Sequence, residues 1–327
     1  MSLANLLKEI ARGGGDARDL ASDDAQQLFA AMLDGGVPEL ELGAALIALR
    51  MKGESLGEML GFYQALAERV HQLRAPEFES RVVVLGTYDG TRTTRNLTPL
   101  VALLLQRMGV PVLVHGALDA RGCVASAYVF RELGILPCAT LAKAQACLDR
   151  ERLAFVPTAV LAPGLASLLA LRSRLGVDNA AHFLAMLIDP FAGRSLRLVG
   201  ASHPGDLARV REIFLATGER ALVLRGTEGE PFADPCRRPC IEYVDGGRVE
   251  ILFTEHHPAR RAMVGTPEMP ETKSTACYIR KALSGGAPLP VPIVNEIACC
   301  LYGAGVTADL NQAKAVAAVQ AHSLVTV

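Results

Sequence analysis

The stretch VVVLGTYDGTRTTRNLTPLVALLLQRMG, Val82 to Gly109, reads as a β-branched strand, a glycine-bearing loop and a helix. Thr98 is a good helix cap, Pro99 a good first helical residue, and Gly109 a good stop. The loop from Gly86 to Leu97 therefore delivers whatever it holds to a helix N-terminus. Free N–H groups and the helix dipole at such an end favour an anion. Arg92 and Arg95 add full charge and forked donors suited to phosphate. Tyr88, however, sets a large side chain where a tight cradle wants a small one. A second stretch, VHGALDARGC (114–123), has the same build, with His115 and Gly116 closing a strand and Arg121 before the next helix. Two such loops predict one crevice beyond the carboxyl ends of parallel strands.

Working outward, RVVVL (81–85), VPVLVHG (110–116), LRLVG (196–200), ALVLRG (221–226) and GGRVEILF (246–253) read as strands. Most are followed by helical segments, which predicts an α/β fold with a mainly parallel central sheet. Residues 161–176 read as an interposed helix, 227–247 as mostly loop, and 271–284 and 289–324 as helical. Before residue 76 the pattern is helical throughout. Leu28, Phe29, Met32 and Leu33 share one face, and Ser55 and Glu58 have capping-box spacing. The expected organisation is a small all-helical domain at 1–75, joined by the helix around 161–185, and a larger α/β domain at 76–327.

Composition narrows the function classes. The 327 residues are half hydrophobic and carry a net charge of −1, so any nucleic-acid site is a local patch. Trp is absent and aromatics make up 5%, which weighs against aromatic base-stacking platforms. No run is long enough to span a membrane, and the start MSLANLLKEI lacks the basic n-region of a signal peptide. The expectation is a cytoplasmic protein whose eight cysteines are reduced. Cys236 and Cys240 have no second pair at zinc-finger spacing, so no metal is expected.

On these residues the chain resembles anthranilate phosphoribosyltransferase and its relatives, the glycosyltransferase family 3 fold. That family joins phosphoribosyl pyrophosphate to an aromatic amine with magnesium, usually as a dimer built through the helical domain. The resemblance places a diphosphate site at Gly86, Thr87, Asp89, Gly90, Asn96, Thr98, His115 and Gly116. The motifs differ from the family pattern. Its Gly-Thr-Gly-Gly-Asp stands here as Gly86-Thr87-Tyr88-Asp89-Gly90, and its Asn-x-Ser-Thr as Asn96-Leu97-Thr98-Pro99. Its Lys-His-Gly-Asn stands as Val114-His115-Gly116-Ala117, without the phosphate-facing lysine. Its adjacent Asp-Glu pair for magnesium is replaced by Glu228 and Glu230, two residues apart. An arginine that holds the anthranilate carboxylate aligns with Arg172.

The altered loops resemble a branch of the family that binds nucleic acid. That resemblance implies a low-specificity binder of single-stranded DNA or RNA, a homodimer through the helical domain, with no catalytic residue and no cofactor. Arginine supplies 27 of the 33 basic residues. The candidate contacts are Arg92, Arg95, Arg121, Arg172, Arg174, Arg194 and Arg197. The alternative is a phosphoribosyltransferase acting on an unidentified aromatic or amine acceptor, which would bring magnesium.

Overall fold

The structure is a computed structural model of the chain. It describes residues 3–12, 17–77, 80–119, 122–256 and 270–323. Helices α1 (Leu3–Ile10), α2 (Ser22–Leu33), α3 (Glu39–Lys52) and α4 (Leu56–Ala67) come first. Then follow β1 (Val82–Thr87), α5 (Thr98–Arg107), β2 (Val112–Gly116), α6 (Ser126–Glu132), α7 (Leu141–Glu151) and β3 (Leu153–Pro157). Four short helices come next: α8 (Thr158–Leu161), α9 (Pro163–Ala170), α10 (Arg172–Leu175) and α11 (Ala180–Ala185). The chain resumes with β4 (Ser195–Ala201), α12 (Pro204–Thr217), β5 (Ala221–Arg225), β6 (Ile241–Asp245) and β7 (Arg248–Phe253). It closes with α13 (Thr272–Leu283), α14 (Val291–Gly303) and α15 (Leu310–Ser323).

Two units result. The helical one comprises Met1–Gln72 and Thr158–Pro190, and the α/β one Leu73–Pro157 and Phe191–Val327. In the helical unit the amphipathic face of α2 (Leu28, Phe29, Met32, Leu33) is buried, and Phe29 stacks on Phe62 of α4 with centroids 4.8 Å apart. Ser55 and Glu58 form the predicted capping box at the start of α4. The single helix read at 161–176 is instead three short ones. Pro163 and Gly164 restart the helix after Ala162, and a Cβ on Gly164 would lie 2.1 Å from the carbonyl of Leu33.

In the α/β unit the sheet order is β3-β2-β1-β4-β5-β6-β7. The first five strands are parallel, and β6 and β7 add an antiparallel hairpin at one edge. The five parallel strands are buried almost throughout, as their Val- and Leu-rich runs require. Helix α5 packs on β1, β2 and β3, while α12 and α14 pack on β4, β5 and β6. β3 and β6 correct the sequence reading, which left them unassigned or in a loop. Because all five strands point the same way, their carboxyl ends share one edge. The strand order reverses direction between β1 and β4, the place where an open α/β sheet leaves a crevice.

Candidate functional site

The loop after β1 lies at that switch point. Gly86 pairs with His115 and Thr87 with Gly116 in the β1–β2 register. A Cβ on Gly116 would stand 1.8 Å from the carbonyl oxygen of Thr87, so glycine is obligatory for the strands to approach this closely. The loops after β1 and β2 are tied together where Thr91 and Val124 exchange backbone hydrogen bonds of 3.2 and 2.8 Å. The two loops are thereby joined beyond the carboxyl ends of β1 and β2.

The start of α5 differs from the expected cap. Leu97 holds the capping position, Thr98 is the first helical residue, and Asn96 Oδ1 accepts from the Thr98 N–H at 3.1 Å. Thr98 is then free to turn its hydroxyl to another group. That group is Glu230, which is fully buried. Its Oε1 accepts from the N–H groups of Asp89 (3.1 Å) and Gly90 (2.8 Å). Its Oε2 accepts from the hydroxyls of Thr87, Thr98 (3.0 Å) and Ser126 (3.2 Å), and from Asn96 Nδ2 at 3.5 Å. Five of the eight residues expected to cradle a diphosphate, Thr87, Asp89, Gly90, Asn96 and Thr98, thus converge on a carboxylate of the same chain, while Gly86, His115 and Gly116 make no hydrogen bond to it among the described residues.

Glu228 lies against the outer part of the same loop. It accepts from the N–H groups of Arg92 (2.7 Å), Thr93 (3.0 Å) and Thr94 (3.1 Å), and from the hydroxyls of Thr93 (2.8 Å) and Thr94 (3.0 Å). Burial pushes its carboxyl pKa up, but these donors outweigh it and hold the value below the ordinary one.

His115 is buried, and its Nδ1 lies 2.8 Å from the hydroxyl of Tyr88. Burial lowers its pKa to about 3, so the ring is neutral and cannot serve as a phosphate-facing cation. Tyr88 therefore does more than obstruct the loop: it supplies the partner of the histidine beneath it.

The predicted arginines separate. Arg92 and Arg95 are exposed on the first loop. The Nε of Arg92 donates to Cys123 Sγ at 3.1 Å, and the Arg95 guanidinium sits 5.2 Å from the ring centroid of Tyr278. Neither forms an ion pair with a carboxylate among the described residues. Arg121 lies outside the described residues. Arg172 and Arg174 belong to the helical unit and pair with Asp178 (2.9 Å) and Glu39 (3.1 Å). Arg194 is exposed but precedes β4, at the amino end of the strands and away from the crevice. Arg197 corrects the expectation outright. It is 1% exposed, salt-bridged to Glu219 at 2.7 Å and stacked over Phe214, so it is a core residue.

Magnesium does not fit the residues present. Glu228 and Glu230 stand where the family's metal-binding pair is expected, yet both are surrounded by N–H and O–H donors. A divalent cation requires oxygen ligands whose lone pairs are free. Among the described residues no group of three or more His, Cys, Asp or Glu is placed to hold a metal ion. Sequence reasoning missed Ser126 and the anionic role of Glu230; the only available signal was the glycine-flanked acidic turn itself.

Comparison with known proteins bears on the family and the fold. Residues 4–70 match the glycosyl transferase family helical bundle domain. The uncharacterised protein YbiB of Escherichia coli K12 is 42% identical over 95% of this chain and 97% of its own length. Anthranilate phosphoribosyltransferase of Persephonella marina is 27% identical over 75% of this chain and 73% of its own. Among solved structures, anthranilate phosphoribosyltransferase of Thermus thermophilus superimposes with a TM-score of 0.77 at 23% identity, covering 98% of this chain and 97% of that one. The Saccharomyces cerevisiae enzyme in complex with PRPP and Mg gives 0.74 at 15% identity, over 98% and 94%. The fold at the carboxyl edge and these likenesses converge: the chain belongs to glycosyltransferase family 3, beside YbiB and on the fold of anthranilate phosphoribosyltransferase.

Proposed function

We propose that this protein binds nucleic acid, single-stranded and with little sequence preference, on the cationic outer face of the loop after β1. One observation carries the reading. Arg92 and Arg95 are exposed and, among the described residues, unpaired with acids, on a loop whose inner donors are already answered by Glu230 and whose outer N–H groups are answered by Glu228. A small diphosphate needs the inner donors. A polyanion passing over the surface needs only the outer cations, and contacts to phosphate fix its position without reading bases. Arg95 over Tyr278 adds a flat guanidinium–aromatic surface suited to an unstacked base.

Fluorescence anisotropy with a labelled single-stranded oligonucleotide tests it. Binding is expected to weaken steeply with salt. The double variant Arg92→Glu/Arg95→Glu is expected to bind at least about tenfold more weakly at low salt, with a salt slope shallower by roughly 1.4, the loss of two phosphate contacts. Unchanged affinity removes this loop from the interface. Phosphoribosyl transfer is the competing reading, supported by the family and by retention of Thr87, Asn96 and Thr98; magnesium-dependent heat on titration with phosphoribosyl pyrophosphate would favour it.

The reading extends to a cytoplasmic homodimer. Leu40, Ile47 and Met51 on α3 are exposed, at 83, 36 and 81%, around a groove of about 1150 Å³ that also includes Gly43 and Ala44. An exposed apolar face of this kind supports self-association. The protein is expected to sediment as a dimer and Met51→Asp as a monomer; a monomeric parent protein overturns this part. Among the described residues no helix is long and apolar enough to cross a membrane.

A further inference from the structure

We infer that the turn Thr227–Glu230 is a built-in counter-anion, which holds the anion cradle of the β1 loop closed to small phosphates. This is independent of nucleic-acid binding, since it concerns the inner donors and not the surface arginines.

Three observations support it. First, the donors are those of an anion site. Glu230 collects two backbone N–H groups, three hydroxyls and an amide, and Glu228 collects three successive N–H groups and two hydroxyls. Successive N–H groups pointing one way form a concavity that binds phosphate or carboxylate alike. Two carboxylates, each spread over two oxygens, occupy the donors that a diphosphate's oxygens would need.

Second, the turn is shaped at a cost to reach this position. Glu228 adopts φ +55°, in the left-handed region that a side-chain-bearing residue rarely occupies, and Gly229 follows at +92°. Such a conformation persists where surrounding contacts determine it, and the five donors on Glu228 do so.

Third, the strand ends make room for it. A Cβ on Gly226 would lie 2.3 Å from the carbonyl of Glu230, and one on Gly200 would lie 2.7 Å from the same oxygen. Glycine at both positions lets the turn fold back over the ends of β4 and β5 and place Glu230 inside.

The consequence is a site hidden by its own chain. Removing the Glu230 carboxylate leaves convergent donors with no acceptor, and an anion from solution then gains what the carboxylate supplied. The experiment uses the full chain without magnesium or nucleic acid, with inorganic pyrophosphate as probe and sodium chloride of equal ionic strength as control. The parent protein is expected to show no change in melting temperature at millimolar pyrophosphate. Glu230→Ala is expected to melt several degrees lower, to regain several degrees with pyrophosphate, and to bind it at least about tenfold more tightly than the parent by calorimetry. Thr87→Val/Glu230→Ala, which lacks one cradle hydroxyl, is expected to lose most of that gain, which separates the cradle from the surface arginines. Glu228→Ala keeps Glu230 in place and opens only the outer N–H groups, so it provides the same test if Glu230→Ala does not fold. Equal pyrophosphate binding by the parent, or a folded variant with no gain, overturns the inference.

Discussion

Replacing Glu296 by glutamine is expected to raise the melting temperature by about 10 °C at pH 8 and to leave it nearly unchanged at pH 5. Glu296 lies on α14 and is fully buried. Its Oε2 accepts from the Ala233 N–H at 2.7 Å, while Oε1 has no hydrogen-bond partner among the described residues. Burial dominates and moves its pKa from the ordinary 4.5 to about 8, with the single N–H opposing. The folded chain therefore keeps a proton that the unfolded chain gives up. Below pH 4.5 both states are protonated and stability is unaffected. As pH rises from 4.5 towards 8 the unfolded state alone ionises, so stability falls, by about 5 kcal/mol in all, and then levels off. Glutamine keeps an oxygen for the Ala233 N–H and cannot ionise. Calorimetric scans at several pH values check this: parallel curves for parent and variant between pH 5 and 8 would mean that Glu296 does not titrate across this range.

The same residue shows what a sequence reading can reach. In α14 the neighbours Ile293, Ile297, Cys299 and Cys300 mark an apolar helix, and they are buried as that pattern implies. Nothing in the pattern marks Glu296 as internal, because its partner N–H is 63 residues away. The strands β1, β2, β4 and β5 were legible because both faces are covered, which leaves continuous Val and Leu runs. β3 was hidden because it follows α7 without a glycine or proline. The cap of that helix is Arg152 at φ +58°, a residue type that does not advertise a left-handed turn. β6 was hidden by the Pro- and Gly-rich stretch before it.

At the site, the loop residues were found by their resemblance to a phosphate cradle, and the structure brings Thr87, Asn96 and Thr98 together. What filled the cradle was not legible. Glu228 and Glu230 stand where the resemblance expects metal ligands, and only the positions of donors more than 100 residues away show them as acceptors within the loop. Arg197 was misread for a related reason. A charged residue on a strand looks solvent-facing until its strand is flanked on both sides, and Glu219 closes it from the end of the following helix.

Glu58→Ala is expected to destabilise the helical unit by about 3–5 kcal/mol. Glu58 is 0% exposed, and its carboxylate does three jobs at once. Oε1 accepts from the Leu20 N–H at 2.9 Å, which fixes the segment before α2. Oε2 accepts from the Ser55 N–H at 2.8 Å, completing the cap of α4, and from Lys52 Nζ at 2.7 Å at the end of α3. Lys52 has a side chain only 6% exposed, and it retains Asp19 at 2.6 Å and the Gly53 carbonyl at 2.9 Å. Alanine thus unties three elements and leaves a largely buried ammonium with weaker neutralisation, whereas an exposed ion pair contributes less than about 1 kcal/mol. The distinction between these two cases is measurable. In Lys52→Met/Glu58→Gln the stranded charge is gone and an amide oxygen remains for the Leu20 N–H, so this double variant is expected to lose less stability than Glu58→Ala. Urea denaturation of the three proteins decides it. If Glu58→Ala unfolds at the parent's midpoint, the carboxylate is dispensable and the unit is held by the Phe29–Phe62 core alone; if the double variant is the weaker one, the ion pair itself, and not the buried acceptor, is the stabilising element.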